Sequence, residues 1–105
     1  LNNIEELART LAGIDRVLHE RIRLAISTIL FHRGEVSFNT LKRVLKTSEG
    51  NLATHLRTLE QAGYVEVKKR FVGRKPQTTY ELTDRGIKAY REYLKTLTKI
   101  LQFEK

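Results

Sequence analysis

Apolar residues recur at helical spacing near the start of the chain, at Ile4, Leu7, Leu11, Ile14 and Leu18. Steps of three and four predict an amphipathic helix with a single apolar stripe, weakened or bent at Gly13. A second helix is expected from about Glu20. There Ile22, Leu24, Ala25, Ile26, Ile29, Leu30 and Phe31 spread apolar groups around much of the circumference, which marks the central helix of the domain. His32 and Arg33 suit its negative end and Gly34 its stop. Glu35-Val36 reads as a short extended piece. Ser37 is placed to cap a third helix whose buried face would be Leu41, Val44 and Leu45. Thr47-Ser48 follows at once. Ser48 can cap a fourth helix, with Glu49 in its first turn, a buried stripe of Leu52, Leu56 and Leu59, and a stop at Gly63. Two short helices joined by so tight a turn predict a helix-turn-helix over 37–63.

The period then changes. Tyr64 to Arg70 alternates in part, as an edge strand does, and Thr78 to Leu82 forms a second strand. Phe71 to Gln77, which holds the one Pro and a Gly, is expected as the loop between them. The product is a β-hairpin over 64–82 with a cationic tip. Thr83 and Asp84 can start a last helix, in which Ile87, Tyr90, Leu94, Leu97 and Leu101 follow a heptad-like spacing. The expected fold is mainly α with a small β-hairpin (α+β): a winged helix-turn-helix in one domain, 1–105, with helices in 1–18 and 84–105 forming a dimer interface.

Charge changes this picture from a fold to a partner. The 105-residue chain carries a formal charge of +8. From Lys42 to Lys75 there are nine Lys and Arg against three Glu, which gives +6 in about a third of the chain. An evenly solvated surface needs no such segregation, whereas a phosphate-binding face does. Cys is absent, which excludes disulfides and thiolate metal sites and agrees with an intracellular protein, for which a cytoplasmic location is expected. No apolar run approaches a membrane span, and Leu1 to Glu6 lacks the basic and apolar regions of a signal peptide.

Two stretches resemble a known family group. Ser48-Glu49-Gly50-Asn51-Leu52-Ala53-Thr54-His55-Leu56-Arg57 through Gly63-Tyr64-Val65 is similar to the recognition helix and wing start of short MarR/ArsR-like winged-helix regulators. Val72-Gly73-Arg74-Lys75-Pro76-Gln77 through Thr83-Asp84-Arg85-Gly86 resembles their wing and final-helix start. The resemblance covers roughly residues 14 to 98 and implies a dimeric, sequence-specific DNA-binding protein.

The residues themselves agree. With Leu52, Leu56 and Leu59 inward, the outer side of the fourth helix presents Ser48, Gly50, Asn51, Thr54, His55 and Arg57. Asn can bond adenine in a bidentate manner, Thr can meet a thymine methyl, and Arg can grip guanine or phosphate. Ser37 and Asn39 begin the preceding helix, where phosphate contacts are expected. In the wing, Arg74 is the expected minor-groove residue. Lys68, Lys69, Arg70 and Lys75 are assigned to phosphate, with hydroxyl contacts from Thr78 and Thr79. Lysines on a strand edge also guard against aggregation, but that accounts less readily for all five cations. His19, His32 and His55 form no metal constellation, and no phosphate loop or nucleophile elbow is present, so neither cofactor nor enzyme activity is expected.

Ile4, Leu7, Leu11 and Ile14, with Tyr90, Leu94, Leu97 and Leu101, are assigned to a homodimer contact. Their packing on each other within one chain is the competing arrangement. Any small-molecule effector, of unknown identity, would then bind between wing and dimer helices. The function expected is sequence-specific binding of double-stranded DNA in transcription regulation. The alternatives are a non-specific chromosomal DNA- or RNA-binding protein and a protein-interaction winged helix.

Overall fold

The chain runs α1 (Asn2–Ala12), α2 (Arg21–Arg33), β1 (Val36–Ser37), α3 (Phe38–Leu45), α4 (Glu49–Gln61), β2 (Val65–Val72), β3 (Lys75–Leu82) and α5 (Asp84–Leu101). This computed structural model describes residues 2–103, so positions 1, 104 and 105 of the expected dimer segments lie outside it. The order is that of a winged helix-turn-helix. Among the described residues no helix is long and apolar enough to cross a membrane.

Local chemistry sets the helix ends. Ser37, Ser48 and Thr83 each sit in extended backbone and accept the N–H three residues on, which satisfies an otherwise orphan donor. Glu20 does the same for α2 through Arg23 N–H, and Gly34 ends that helix at φ 84°. Gly13 does more than bend the first helix. α1 stops at Ala12, and Gly13 to Glu20 forms a turn-rich connector pinned where Asp15 Oδ1 accepts the N–H of Val17 and Leu18. The expected stripe therefore divides. Leu18 is buried in the core, and Ile14 packs against it.

One core joins all layers. Ile22, Ile26 and Leu30 of α2 meet Leu41 of α3, the three leucines of α4, Val65, Tyr80 and Leu82 of the sheet, and Tyr90 and Tyr93 of α5. Val44, expected inside, is half exposed instead, because the eight-residue α3 needs only Leu41 and Leu45 to seal its inner side.

The sheet order is β1-β3-β2, antiparallel throughout. β2 and β3 pair from Val65↔Leu82 out to Val72↔Lys75, so the strands take in most of the segment expected as loop. Only Gly73 and Arg74 turn the chain. Gly73 at φ 64° in the first central position follows the type II′ pattern, which matches strand twist. Pro76 is tolerated within β3 because β1 reaches only Thr79 and Tyr80, leaving the outer part of the strand without a third partner.

The wing root is fixed to α5. Thr83 N–H donates to the Tyr64 carbonyl at 3.0 Å, and the Thr83 hydroxyl donates to the Gly63 carbonyl at 2.6 Å. The Tyr64 hydroxyl donates to Asp15 across the connector. Burial first, then that bond to a carboxylate, push the Tyr64 phenol up to about 12.

Candidate nucleic-acid interface

The inner side of α4 aims its outer side. Leu52, Leu56 and Leu59 are at most 1% exposed, so rotation about the helix axis is set. Losing any one to Ala would cost about 2–5 kcal/mol. Ser48, Gly50, Asn51, Thr54 and Arg57 consequently lie exposed on the opposite side. Within that side the Asn51 amide donates to Thr47 Oγ1 at 2.8 Å, and the Thr54 hydroxyl donates to the Gly50 carbonyl at 2.9 Å. These local bonds limit the rotamers of two groups suited to base edges. Nothing lies within 4 Å of a Cβ built on Gly50, which leaves its backbone approachable.

His55 does not join this face. It turns back toward α2, where the Arg23 guanidinium donates to its Nδ1 at 3.0 Å and the Glu20 carboxylate lies 3.5 Å away. Its position beside Leu56 carries it toward the flank that packs on α2, so its role is to lock α4 to the helix behind it. The Arg23 Nε–H donates in turn to the Val17 carbonyl at 2.6 Å, completing a polar clasp from connector to α4.

At the start of α3, Asn39 is exposed. The Ser37 hydroxyl is occupied twice, accepting Thr40 N–H and donating to Thr40 Oγ1. Between α3 and α4 the chain turns through Lys46, which adopts left-handed backbone at φ 51° as the C-cap of α3. Lys42 reaches Glu49 at 3.7 Å across this turn. Arg43 and Lys46 are exposed, and no ion pair engages them among the described residues. Both stand in or next to the turn between α3 and α4, and sequence pattern alone assigns them no role. Their place in the cation-rich middle of the chain is the one signal that points to them.

The wing sorts its cations into two groups. Lys69, Arg74 and Lys75 are exposed and enter no ion pair among the described residues. Lys68 and Arg70 are held within the sheet. Lys68 Nζ lies 2.6 Å from Glu81 Oε1 and 3.7 Å from Glu66, and the hydrogen bond to Glu81 raises its pKa. Arg70 makes a two-pronged contact with Glu35, at 2.7 and 2.8 Å. Thr79, expected to offer a hydroxyl to DNA, is buried and donates to the same Glu35 carboxylate. The period-2 alternation explains this: Lys68, Arg70, Thr79 and Glu81 share one sheet face, and Glu35 reaches over that face from the segment before β1. Thr78 sits on the other face and is partly covered.

The Arg70 and Thr79 hydrogen bonds hold the Glu35 carboxyl down at about 2, against an ordinary 4.5. A depressed carboxyl favours the clamped state above its unfolded pKa, and that preference disappears as pH falls through the folded value. Carboxyl-detected NMR should therefore show Glu35 ionised at pH 4, with the clamp to β2 loosening only between about 4 and 2. An ordinary midpoint would mean that the Glu35 to Arg70 contact does not persist in solution. Beside the clamp a groove of about 890 Å3 opens between α2, α3 and the sheet, with Ile29, His32, Thr40 and Val44 in its walls. Its walls include no residue of α1 or α5.

The terminal helices divide likewise. Tyr90 is core rather than interface: it stacks on Phe31 with centroids 4.8 Å apart, and its hydroxyl donates to Thr28. Tyr93, which falls outside the heptad-like spacing, is buried too, with its hydroxyl 2.9 Å from His19 Nδ1. Leu97 packs against the core. α1 lies along α5, yet Ile4, Leu11, Leu94 and Leu101 remain 40–72% exposed. Leu7 is partly covered.

A helix held by three leucines, with a polar outer side and a cation-tipped hairpin beside it, defines a winged-helix protein of the DNA-binding class. Residues 22–101 match the family described as winged helix DNA-binding domain, and the chain belongs to that family. It is 32% identical over 90 residues to an uncharacterized protein of Methanocaldococcus jannaschii, covering 86% of this chain and 95% of that one. The structure of a transcriptional regulator homologue from Pyrococcus horikoshii OT3 superposes with a TM-score of 0.79 at 27% identity, covering 97% of this chain and 96% of that one. MarR shares the fold with a TM-score of 0.71 at 20% identity, over 82% of this chain and 62% of MarR. Among the described residues no three His, Asp or Glu converge on a point where a metal ion could be held.

Proposed function

We propose that the chain is a sequence-specific transcriptional regulator that acts on double-stranded DNA as a cytoplasmic homodimer and catalyses no reaction. The carrying observation is the division of α4: Leu52, Leu56 and Leu59 are sealed inside while Asn51, Thr54 and Arg57 face out. In this reading the N-terminal half of α4 enters the major groove, where Asn51 and Thr54 meet base edges and Arg57 a guanine or a phosphate. Asn39, Arg43 and Lys46 meet the backbone at one flank, and the free wing cations meet it at the other, with Arg74 reaching the minor groove. The likeness to the Pyrococcus transcriptional regulator homologue supports the regulatory role.

Exposed Ile4, Leu11, Leu94 and Leu101 on paired helices support the dimer, since burying them against a second copy removes apolar area from water. A two-fold dimer would set recognition helices about 34 Å apart, one helical turn of DNA. Sedimentation at micromolar concentration should give twice the monomer mass.

The test of specificity is selection of genomic fragments on the purified protein, followed by affinity for a retained sequence and for random duplex at one salt concentration. A preference of about 10^3 or more supports the reading. Equal affinities would point to a general chromosomal or RNA-binding role. Asn51→Ala should relax preference at one position by about 1–3 kcal/mol, measured by competition with single-base variants of the selected site. An unchanged profile removes Asn51 from the residues that read bases.

A further inference from the structure

The geometry points to an apolar wedge at the wing tip: we propose that Phe71 and Pro76 enter the minor groove together and bend the duplex. This inference rests on the DNA-binding reading above and adds a deformation to it. Phe71 is 73% exposed and is the register partner of Pro76, itself exposed. Val72, next along β2, is 63% exposed on the opposite side of the hairpin. Isolated apolar residues on a surface need no explanation. An aromatic ring and a proline ring placed side by side at the end of a projecting hairpin are a different case, because they form one stiff apolar edge.

Direction and charge both favour DNA as its partner. Alternation places Phe71 and Pro76 on the hairpin face that also carries Val65, Val67, Tyr80 and Leu82. Those four pack against the helical core that includes the α4 leucines, so the wedge extends outward from the α4 side of the sheet. Lys69 and Thr78 are its neighbours on that face, and Arg74 stands at the turn beside it. From Val67 to Tyr80 there is no Asp or Glu, and five Lys and Arg are present. Lys69 and Arg74, the cations next to the wedge that no carboxylate engages among the described residues, make a polyanion the partner that fits this surface, whereas an apolar protein partner would have to bury them unpaired.

The dimensions also agree. Paired strands lie about 4.8 Å apart, while the minor groove of B-DNA is about 6 Å wide. A whole ribbon with its side chains does not enter, but the side chains of a two-residue turn and its first pairs do. Apolar wedges there unstack a base step and kink the duplex, most easily at flexible pyrimidine–purine steps. Arg74 would hold the backbone of the minor groove next to the kink.

The experiment uses the full chain and a duplex of about 30 base pairs from the selected fragments, end-labelled for energy transfer. Affinity and end-to-end distance are read in the same titration. The wild type is expected to bend the duplex by at least about 20°. Phe71→Ala should leave it straight and weaken binding about tenfold, while Phe71→Leu, which keeps an apolar wedge, should keep most of the bend. Oligomeric state, followed by sedimentation, should be the same in all three. Equal bending by Phe71→Ala overturns the proposal, and so does tight binding by the wild type without a bend. A change in self-association with bending intact would reassign Phe71 to a protein contact. Failure of the wild type to hold any duplex at low salt would instead sink the DNA-binding reading itself.

Discussion

Gly86→Ala is expected to lower the thermal midpoint by roughly 8–16 °C, although alanine is the better helix former. Gly86 lies in the first turn of α5, buried against the wing root. A Cβ at this position would stand 2.0 Å from the Tyr64 carbonyl oxygen and 2.9 Å from its carbon. Both are backbone atoms, and the oxygen already accepts the Thr83 N–H, so neither can swing aside. Overpacking of this kind costs about 3 kcal/mol at the upper end of its usual range. The gain in helix propensity returns about 1 kcal/mol, leaving a net loss near 2 kcal/mol. Each kcal/mol moves the midpoint by about 4–8 °C in a domain of this size. Gly50→Ala is the internal control, since nothing lies within 4 Å of the place its methyl group would take and its backbone is not left-handed. That variant should melt no lower than the wild type. If Gly86→Ala melts with it, α5 does not approach Tyr64 so closely in solution.

The same contact shows which parts of the fold the sequence makes readable. Helix ends were legible because each depends on a side chain within three residues: Ser37, Ser48 and Thr83 cap where their chemistry predicts. The α4 face was legible because three leucines at helical spacing leave only one orientation. The strand ends were not. Gly73 and Pro76 read as loop by composition, yet a two-residue turn needs Gly73, and a stretch of β3 that pairs with β2 but is not reached by β1 tolerates Pro76. Long-range partners were less legible still. Nothing local tells Arg70 that Glu35 lies across the sheet, or His55 that Arg23 lies behind it. Charge and spacing alone therefore make both look like DNA-facing groups. Tyr90 and Tyr93 illustrate a third limit. A heptad-like spacing marks the apolar side of α5 but does not say whether that side meets its own core or a second copy, and α5 is long enough to do both.

The division of the wing cations has the larger functional consequence. Replacing Lys69, Arg74 and Lys75 together by Ala is expected to flatten the salt dependence of DNA binding by about 2.7 in log–log slope for each subunit on the DNA, from about 0.9 per phosphate neutralised. These three are free of carboxylate partners among the described residues, so each can displace a condensed counterion. The slope difference fixes how the defect varies with salt. Between 50 and 200 mM the wild-type advantage should shrink by about 40-fold for each subunit, since fourfold in salt raised to that power is about 1.6 decades. Lys68→Ala is the contrasting variant. Its ammonium already sits 2.6 Å from Glu81, so removing it strips no free charge from the tip and should leave the slope within about half a unit of wild type. Filter binding or anisotropy across that salt range separates the two outcomes. A slope change in Lys68→Ala as large as one-third of the triple variant's would mean that its carboxylate partners release it to phosphate, and the sorting of the wing into clamped and free cations would fail. An unchanged slope in the triple variant would take the wing off the DNA altogether and leave α3 and α4 to bind alone.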